Sequence, residues 1–116
     1  MGVRRAADID RTFAAMADPH RRRAVELLGE RPRPAGELAR ELGLSPPAMS
    51  RHLKTLRDAQ LIFETRPEPH VDYDARVRVY ALRPDAMNDL KEWLERAERL
   101  WSEQLAAYKA HLERDA

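Results

Sequence analysis

The 116-residue chain contains no cysteine. That excludes disulfides, thiolate metal sites, iron–sulfur clusters and thiol redox sensing together. Glycine is scarce at four residues, and none builds the Gly-rich loop that cradles phosphates. No apolar run approaches the ~18 residues that cross a bilayer, so no membrane partner is expected. The opening MGVRRAADID carries two arginines with no apolar stretch behind them, which predicts no secretory signal and a cytoplasmic location. Catalytic groupings are missing as well. Ser50 and His52 stand two apart on a predicted helix and so point in different directions. With no Cys/His cluster either, neither an enzyme nor a cofactor is expected.

What is present is charge, unevenly distributed. Charged residues make up 35% and hydrophobic ones 43% of the chain, a globular balance at the length of one domain. Residues 1–83 hold 16 Lys and Arg against 12 Asp and Glu, whereas residues 84–116 hold 5 against 8. A basic body followed by an acidic tail suggests one face for polyanions and another for a different partner.

Proline punctuates the chain. Asp18-Pro19, Ser45-Pro46 and Arg83-Pro84 each place proline where a helix begins, and Asp18 and Ser45 are good N-caps. The apolar spacing predicts helices near 8–17, 19–28 and 35–42, the last stopped by Gly43, and another from 46 to about 59. Ile9, Phe13 and Met16 are expected on one side of the first; Met49, Leu53 and Leu56 form the buried stripe of the fourth. The period then changes to two. A strand is expected from Leu61 to about Arg66, and a second in which Val77, Val79 and Ala81 alternate with Arg78, Tyr80 and Leu82. Pro67 to Ala75 is a long acidic loop between them. From Pro84 to about Arg114 no glycine or further proline intervenes, and Met87, Leu90, Leu94, Ala97, Trp101, Leu105, Tyr108 and Leu112 step by three or four. A helix of that length, on the order of 45 Å, outruns so small a body, so part of its stripe should face a partner.

Two short helices, a Gly-containing turn and a helix opening Ser-Pro form a helix-turn-helix pattern. The following hairpin is positioned as a wing. With Met49, Leu53 and Leu56 inside, Pro47, Ser50, Arg51 and Lys54 lie outside, and Arg57 one turn on. A helix fits the major groove of double-stranded DNA, where Arg reads guanine and Ser several base edges. Lys54 and Arg57 are better placed for phosphates. His52 is either a base contact or a half-buried packing residue. Arg66, Arg76 and Arg78 flank the wing loop, and Arg21, Arg22 and Arg23 open the second helix; all six are candidate phosphate contacts. Positive charge in a first turn opposes the helix dipole, so the arginine run is not there to stabilise its own helix.

The segments FAAMADPHRRRAVELL, GELARELGLSPPAMSRHLKTLRDAQLI and VRVYAL, spanning roughly 11–82, resemble the ArsR/SmtB family of winged-helix repressors. The resemblance implies a mainly α fold with a small β-hairpin (α+β), a winged helix-turn-helix with a long C-terminal dimerisation helix. The whole chain, 1–116, is then one domain: a DNA-binding body over 8–83, its wing at 61–82, and the dimerisation helix at 84–114. It also implies a homodimeric repressor on an inverted-repeat operator, released from DNA by a signal. Trp93 and Trp101 in the last helix match the branch that lacks metal ligands. The expected dimer surface is Phe13, Leu90, Trp93, Leu94, Ala97, Trp101, Leu105 and Tyr108, with room for a small organic effector between subunits.

The departures are specific. The helix GELARELG lacks the family's cysteine pair, and the last helix has one histidine, His111, so neither family metal site is assembled. Gln60 stands where the family usually has glycine in a left-handed conformation. His70, Asp72 and Asp74 have a spacing open to a divalent cation, but a solvated loop is the expectation. The alternative to a DNA reader is a helical interaction module working through the last helix, with weak or no specific DNA binding.

Overall fold

The computed structural model describes residues 6–66 and 77–115. Its elements are α1 (Ala6–Met16), α2 (Pro19–Glu30), β1 (Arg33–Pro34), α3 (Ala35–Leu42), α4 (Pro46–Asp58), β2 (Ile62–Thr65), β3 (Val79–Leu82) and α5 (Pro84–Arg114). The expected punctuation holds. Asp18 caps α2 through Oδ1, which accepts from the backbone N–H groups of His20 (2.8 Å) and Arg21 (3.1 Å). Ser45 Oγ accepts from Ala48 N–H at 3.3 Å, and Gly43 ends α3 at φ 66°. Gln60 is left-handed as expected, with φ 60°.

The core gathers Ala24, Val25, Leu27 and Leu28 from α2, Leu38 from α3, and Met49, Leu53 and Leu56 from α4. Leu61, Ile62 and Tyr80 close it from the sheet side, and Ala86 from the start of α5. On α1, Thr12 and Ala15 are the buried residues, and Met16 packs partly against the core. Phe13 points elsewhere, meeting Trp93 of α5 edge-to-face with ring centroids 5.0 Å apart.

Two features go beyond the sequence reading. The sheet has a third strand: β1 pairs antiparallel with β3, giving the order β1-β3-β2, with Arg33 opposite Tyr80 and Pro34 opposite Val79. Proline fits there because β1 is an edge, where a missing N–H leaves no ladder bond unmade. Consequently β3 is central, and Val79, Tyr80 and Ala81 are all buried. The expected alternation, with Tyr80 outward, is corrected: α2 packs on the sheet and takes up the Tyr80 face.

Arg33 ties this corner together. It is buried, with Nε donating to Leu27 O at 3.0 Å and the two Nη groups reaching Glu37 and Glu30. Glu37 also pairs with Arg31. The Arg31 hydrogen bond is the largest influence on the Glu37 carboxyl; burial opposes it, and with the further pull of Arg31 and Arg33 the carboxyl is held below its ordinary value.

Beyond Ala97, every described residue of α5 is exposed. The molecule measures 69 × 35 × 26 Å with a radius of gyration of 19.1 Å, against about 13 Å for a compact chain this long. The protruding helix end accounts for the difference.

Candidate nucleic-acid interface

The turn between α3 and α4 is set by Gly43, whose left-handed backbone lets Leu44 N–H return to Ala39 O at 2.9 Å. That closure seats α3 against α4 and fixes which side of α4 faces out. Met49, Leu53 and Leu56 point into the core; Pro47, Ser50, Arg51, Lys54 and Arg57 are exposed on the far side. The division is the one expected from the spacing.

The exposed cations differ in how they are engaged. Arg51 and Arg57 side chains, and the Ser50 hydroxyl, make no hydrogen bond or ion pair among the described residues. Lys54 Nζ donates to Asp58 Oδ2 at 2.8 Å, a bond that, ahead of every other influence, lowers the Asp58 carboxyl from its ordinary value. Both partners are well exposed, so water and salt weaken the pair and Lys54 can leave it at little cost. Arg66 lies exposed just beyond β2. Arg78 precedes β3, its Nε 3.6 Å from Glu64 Oε1 across the base of the wing, both side chains exposed. Arg76 and the His70, Asp72, Asp74 spacing lie outside the described residues. Among the described ones, no group of three or more His, Asp and Glu could hold a metal ion.

The arginine run at the head of α2 has work that the sequence does not reveal. Arg21 Nε donates to Ala15 O at 2.7 Å and Nη2 to Ala14 O at 3.3 Å. Arg22 Nη1 donates to the carbonyls of Met16 and Ala17, both at 3.0 Å. These carbonyls lie at and just beyond the C-terminal end of α1, where cations are favoured by the helix dipole; Ala14 O also accepts from Ala17 N–H at 3.3 Å. The run opposes the dipole of its own helix and satisfies that of the preceding one. Arg23 is different: it is exposed and paired with Glu26 at 3.0 Å.

His52 is half-buried in the angle between α4 and the head of α2. Its Nδ1 lies 3.3 Å from Arg21 Nη1 and 4.0 Å from Asp18 Oδ1, and its ring sits 5.8 Å from that of His20. The Asp18 carboxyl is lowered from its ordinary value, chiefly by the Arg21 backbone N–H, with burial opposing and the His20 backbone N–H adding to the lowering.

On α5 the expected partner-facing residues divide. Ala97 is buried within the chain, while Leu90 and Trp93 are half-buried, Trp93 against Phe13. Leu94 is 46% exposed, Trp101 59%, Leu105 68% and Tyr108 61%; Leu112, on the same stripe, and Leu100, to one side of it, are also exposed. No described helix is long and apolar enough to cross a membrane.

Residues 18–63 match the family described as "Bacterial regulatory protein, arsR family". The chain is 40% identical over 99 residues to the HTH-type transcriptional regulator Rv2034 of Mycobacterium tuberculosis, covering 85% of this chain and 83% of that one. It is 28% identical over 86 residues to the transcriptional repressor SdpR of Bacillus subtilis, covering 74% and 88% respectively. Among solved structures, an ArsR-like transcriptional regulator from Rhodococcus sp. RHA1 superposes with a TM-score of 0.68 at 28% identity, covering 89% of this chain and 91% of that one.

Proposed function

As the chain belongs to the arsR family of bacterial regulatory proteins, and is a DNA-binding transcriptional regulator rather than an enzyme, we propose that it works in the cytoplasm as a homodimeric repressor reading an inverted-repeat operator. The observation that carries this reading is the outer face of α4. Three buried apolar residues lock the helix down, and Ser50, Arg51 and Arg57 stand opposite them, their side chains making no hydrogen bond or ion pair among the described residues. Ser50 and Arg51 read base edges. Lys54, Arg57, Arg66 and Arg78 hold phosphates, which fix register without reading sequence. Arg23 adds to them by leaving Glu26.

The exposed stripe of α5 supports the dimer, since Trp101, Leu105 and Tyr108 form an apolar surface that a second copy would cover. A two-fold dimer sets its α4 helices about 34–36 Å apart, one turn of DNA. Bound there, it blocks transcription by occupying the promoter, and the name of the Bacillus relative supports that sign of regulation.

The test is fluorescence anisotropy on the DNA just upstream of the chain's own gene, across a salt series, with random DNA as control. Nanomolar binding at least ~10³-fold tighter than the control is the expected result. Arg51→Ala should weaken the specific complex by about 1–3 kcal/mol and relax one position of the site. Weak binding that is equal on both DNAs and lost near physiological salt would overturn the operator reading and direct attention to the α5 stripe.

A further inference from the structure

Arg21 has three partners, and the third is on another helix. Two Nη and Nε contacts hold its guanidinium to the last carbonyls of α1, at Ala14 and Ala15, and Nη1 then reaches His52 Nδ1 at 3.3 Å. A guanidinium has five donors, no acceptor, and stays protonated. Where it meets Nδ1, that nitrogen must be the acceptor. The neutral ring therefore carries its proton on Nε2. Asp18 Oδ1 lies farther from the same nitrogen, at 4.0 Å. Among the described residues, the charged and titratable groups in contact with His52 are Asp18, His20 and Arg21, all from the head of α2.

We propose that Arg21 is a positioning residue for DNA reading: it fixes His52 as the Nε2–H tautomer, so that His52 meets the major groove as a hydrogen-bond donor to a base acceptor such as guanine O6 or N7. This rests on the reading of α4 as the helix in the groove. It reassigns Arg21 from the phosphate contacts expected of the arginine run. It also gives the α1 end a line to α4, because the guanidinium is clamped between them while α1 meets α5 through Phe13 and Trp93.

The test is a double-mutant cycle of Arg21→Ala and His52→Ala, read by anisotropy on upstream and random DNA across a salt series. Arg21→Ala should cut the preference for upstream DNA roughly three- to tenfold, the size of one lost hydrogen bond. The salt slope should stay unchanged, and the effect should vanish when His52 is already alanine. His52→Gln, which keeps an amide donor at the Nε2 position, should retain more preference than His52→Asn. A salt slope reduced by about one unit in both backgrounds overturns the proposal, since that is the signature of a direct phosphate contact. The wild-type protein supplies an independent check that no folding defect can spoil. In a ¹⁵N-histidine spectrum above pH 8, His52 should show a proton on Nε2 and an acceptor-type Nδ1; a proton on Nδ1 overturns the proposal. A wild type that does not distinguish upstream from random DNA fails the operator reading itself, a result distinct from either of these.

Discussion

The body and the outer half of α5 are written in the same apolar period, yet their apolar residues end in opposite environments. Leu38, Leu56 and Leu61 are fully buried, while Leu100, Trp101, Leu105, Tyr108 and Leu112 are each more than half exposed. Spacing by three and four says that a helix has an apolar face. It does not say what covers that face. In the body other elements close over each stripe within the chain; past Ala97 the helix has outrun them. The body is thus a finished core, and the end of α5 is, on the proposed dimer, half of one.

The sharpest way to break the comparison is to remove the half that awaits a partner. In the proposed two-fold dimer, Trp101→Ala combined with Leu105→Ala deletes four large side chains. Each is worth about 1.5–3 kcal/mol if fully covered, enough to leave only monomer at micromolar concentration. Sedimentation equilibrium checks this, and a dimer of unchanged affinity would place the interface elsewhere. In the body the equivalent deletion acts on folding. Leu56→Ala should lower stability by about 2–5 kcal/mol, because Leu56 has no exposure and its removal leaves a cavity. Its urea midpoint should drop at every protein concentration, whereas the α5 pair acts through assembly.

Charge inside the body follows the same rule of completion. Arg33 is buried, and Glu37 is the partner it shares with Arg31. Glu37→Gln leaves Arg33 facing a neutral amide oxygen in place of a carboxylate, beside Glu30 and Leu27 O, a loss of about 1–3 kcal/mol. The sign with pH follows from the lowered Glu37 carboxyl. Near the ordinary value of 4.5 the unfolded chain binds more protons than the folded one. The stabilisation is therefore complete above that pH and disappears as pH falls through the lower folded value. The variant should be weaker at neutral pH and less sensitive to acid below about pH 4.5 than wild type. A parallel pair of pH curves would mean that Glu37 ionisation is not coupled to folding.

What could be read in advance tracks how local the cause is. Asp18, Ser45 and the prolines behind them act within one helical turn, and the boundaries of α2, α4 and α5 follow from them. The outer face of α4 follows from its own period. β1 could not be seen, because two residues carry no periodicity. Alternation assumes one solvated face and so puts Tyr80 outward, and the packing of α2 on the sheet removes that face. Arg21 and Arg22 illustrate the remaining limit. Judged against their own helix they are unfavourable, and only the return of α1 beside them shows which dipole they serve.

The smallest expected effect isolates one backbone angle. α3 and α4 end in the same way: the left-handed residue donates three residues back and the next residue donates five back. At the end of α3, Gly43 reaches Arg40 O and Leu44 reaches Ala39 O; at the end of α4, Gln60 reaches Arg57 O and Leu61 reaches Leu56 O. The hydrogen bonds match and the φ angles are 66° and 60°, but one site has glycine and the other a residue with a Cβ. That Cβ crowds the following carbonyl in a left-handed backbone, which glycine avoids. Glycine also loses more freedom on folding, which takes back part of the gain. The strain is the larger of the two, so Gln60→Gly should raise stability, by about 1 kcal/mol at most. Gly43→Ala should lower it by a similar amount, since nothing lies within 4 Å of the added Cβ and strain is the only change. A urea midpoint that falls for Gln60→Gly would mean that the Gln60 side chain contributes more than its backbone angle costs.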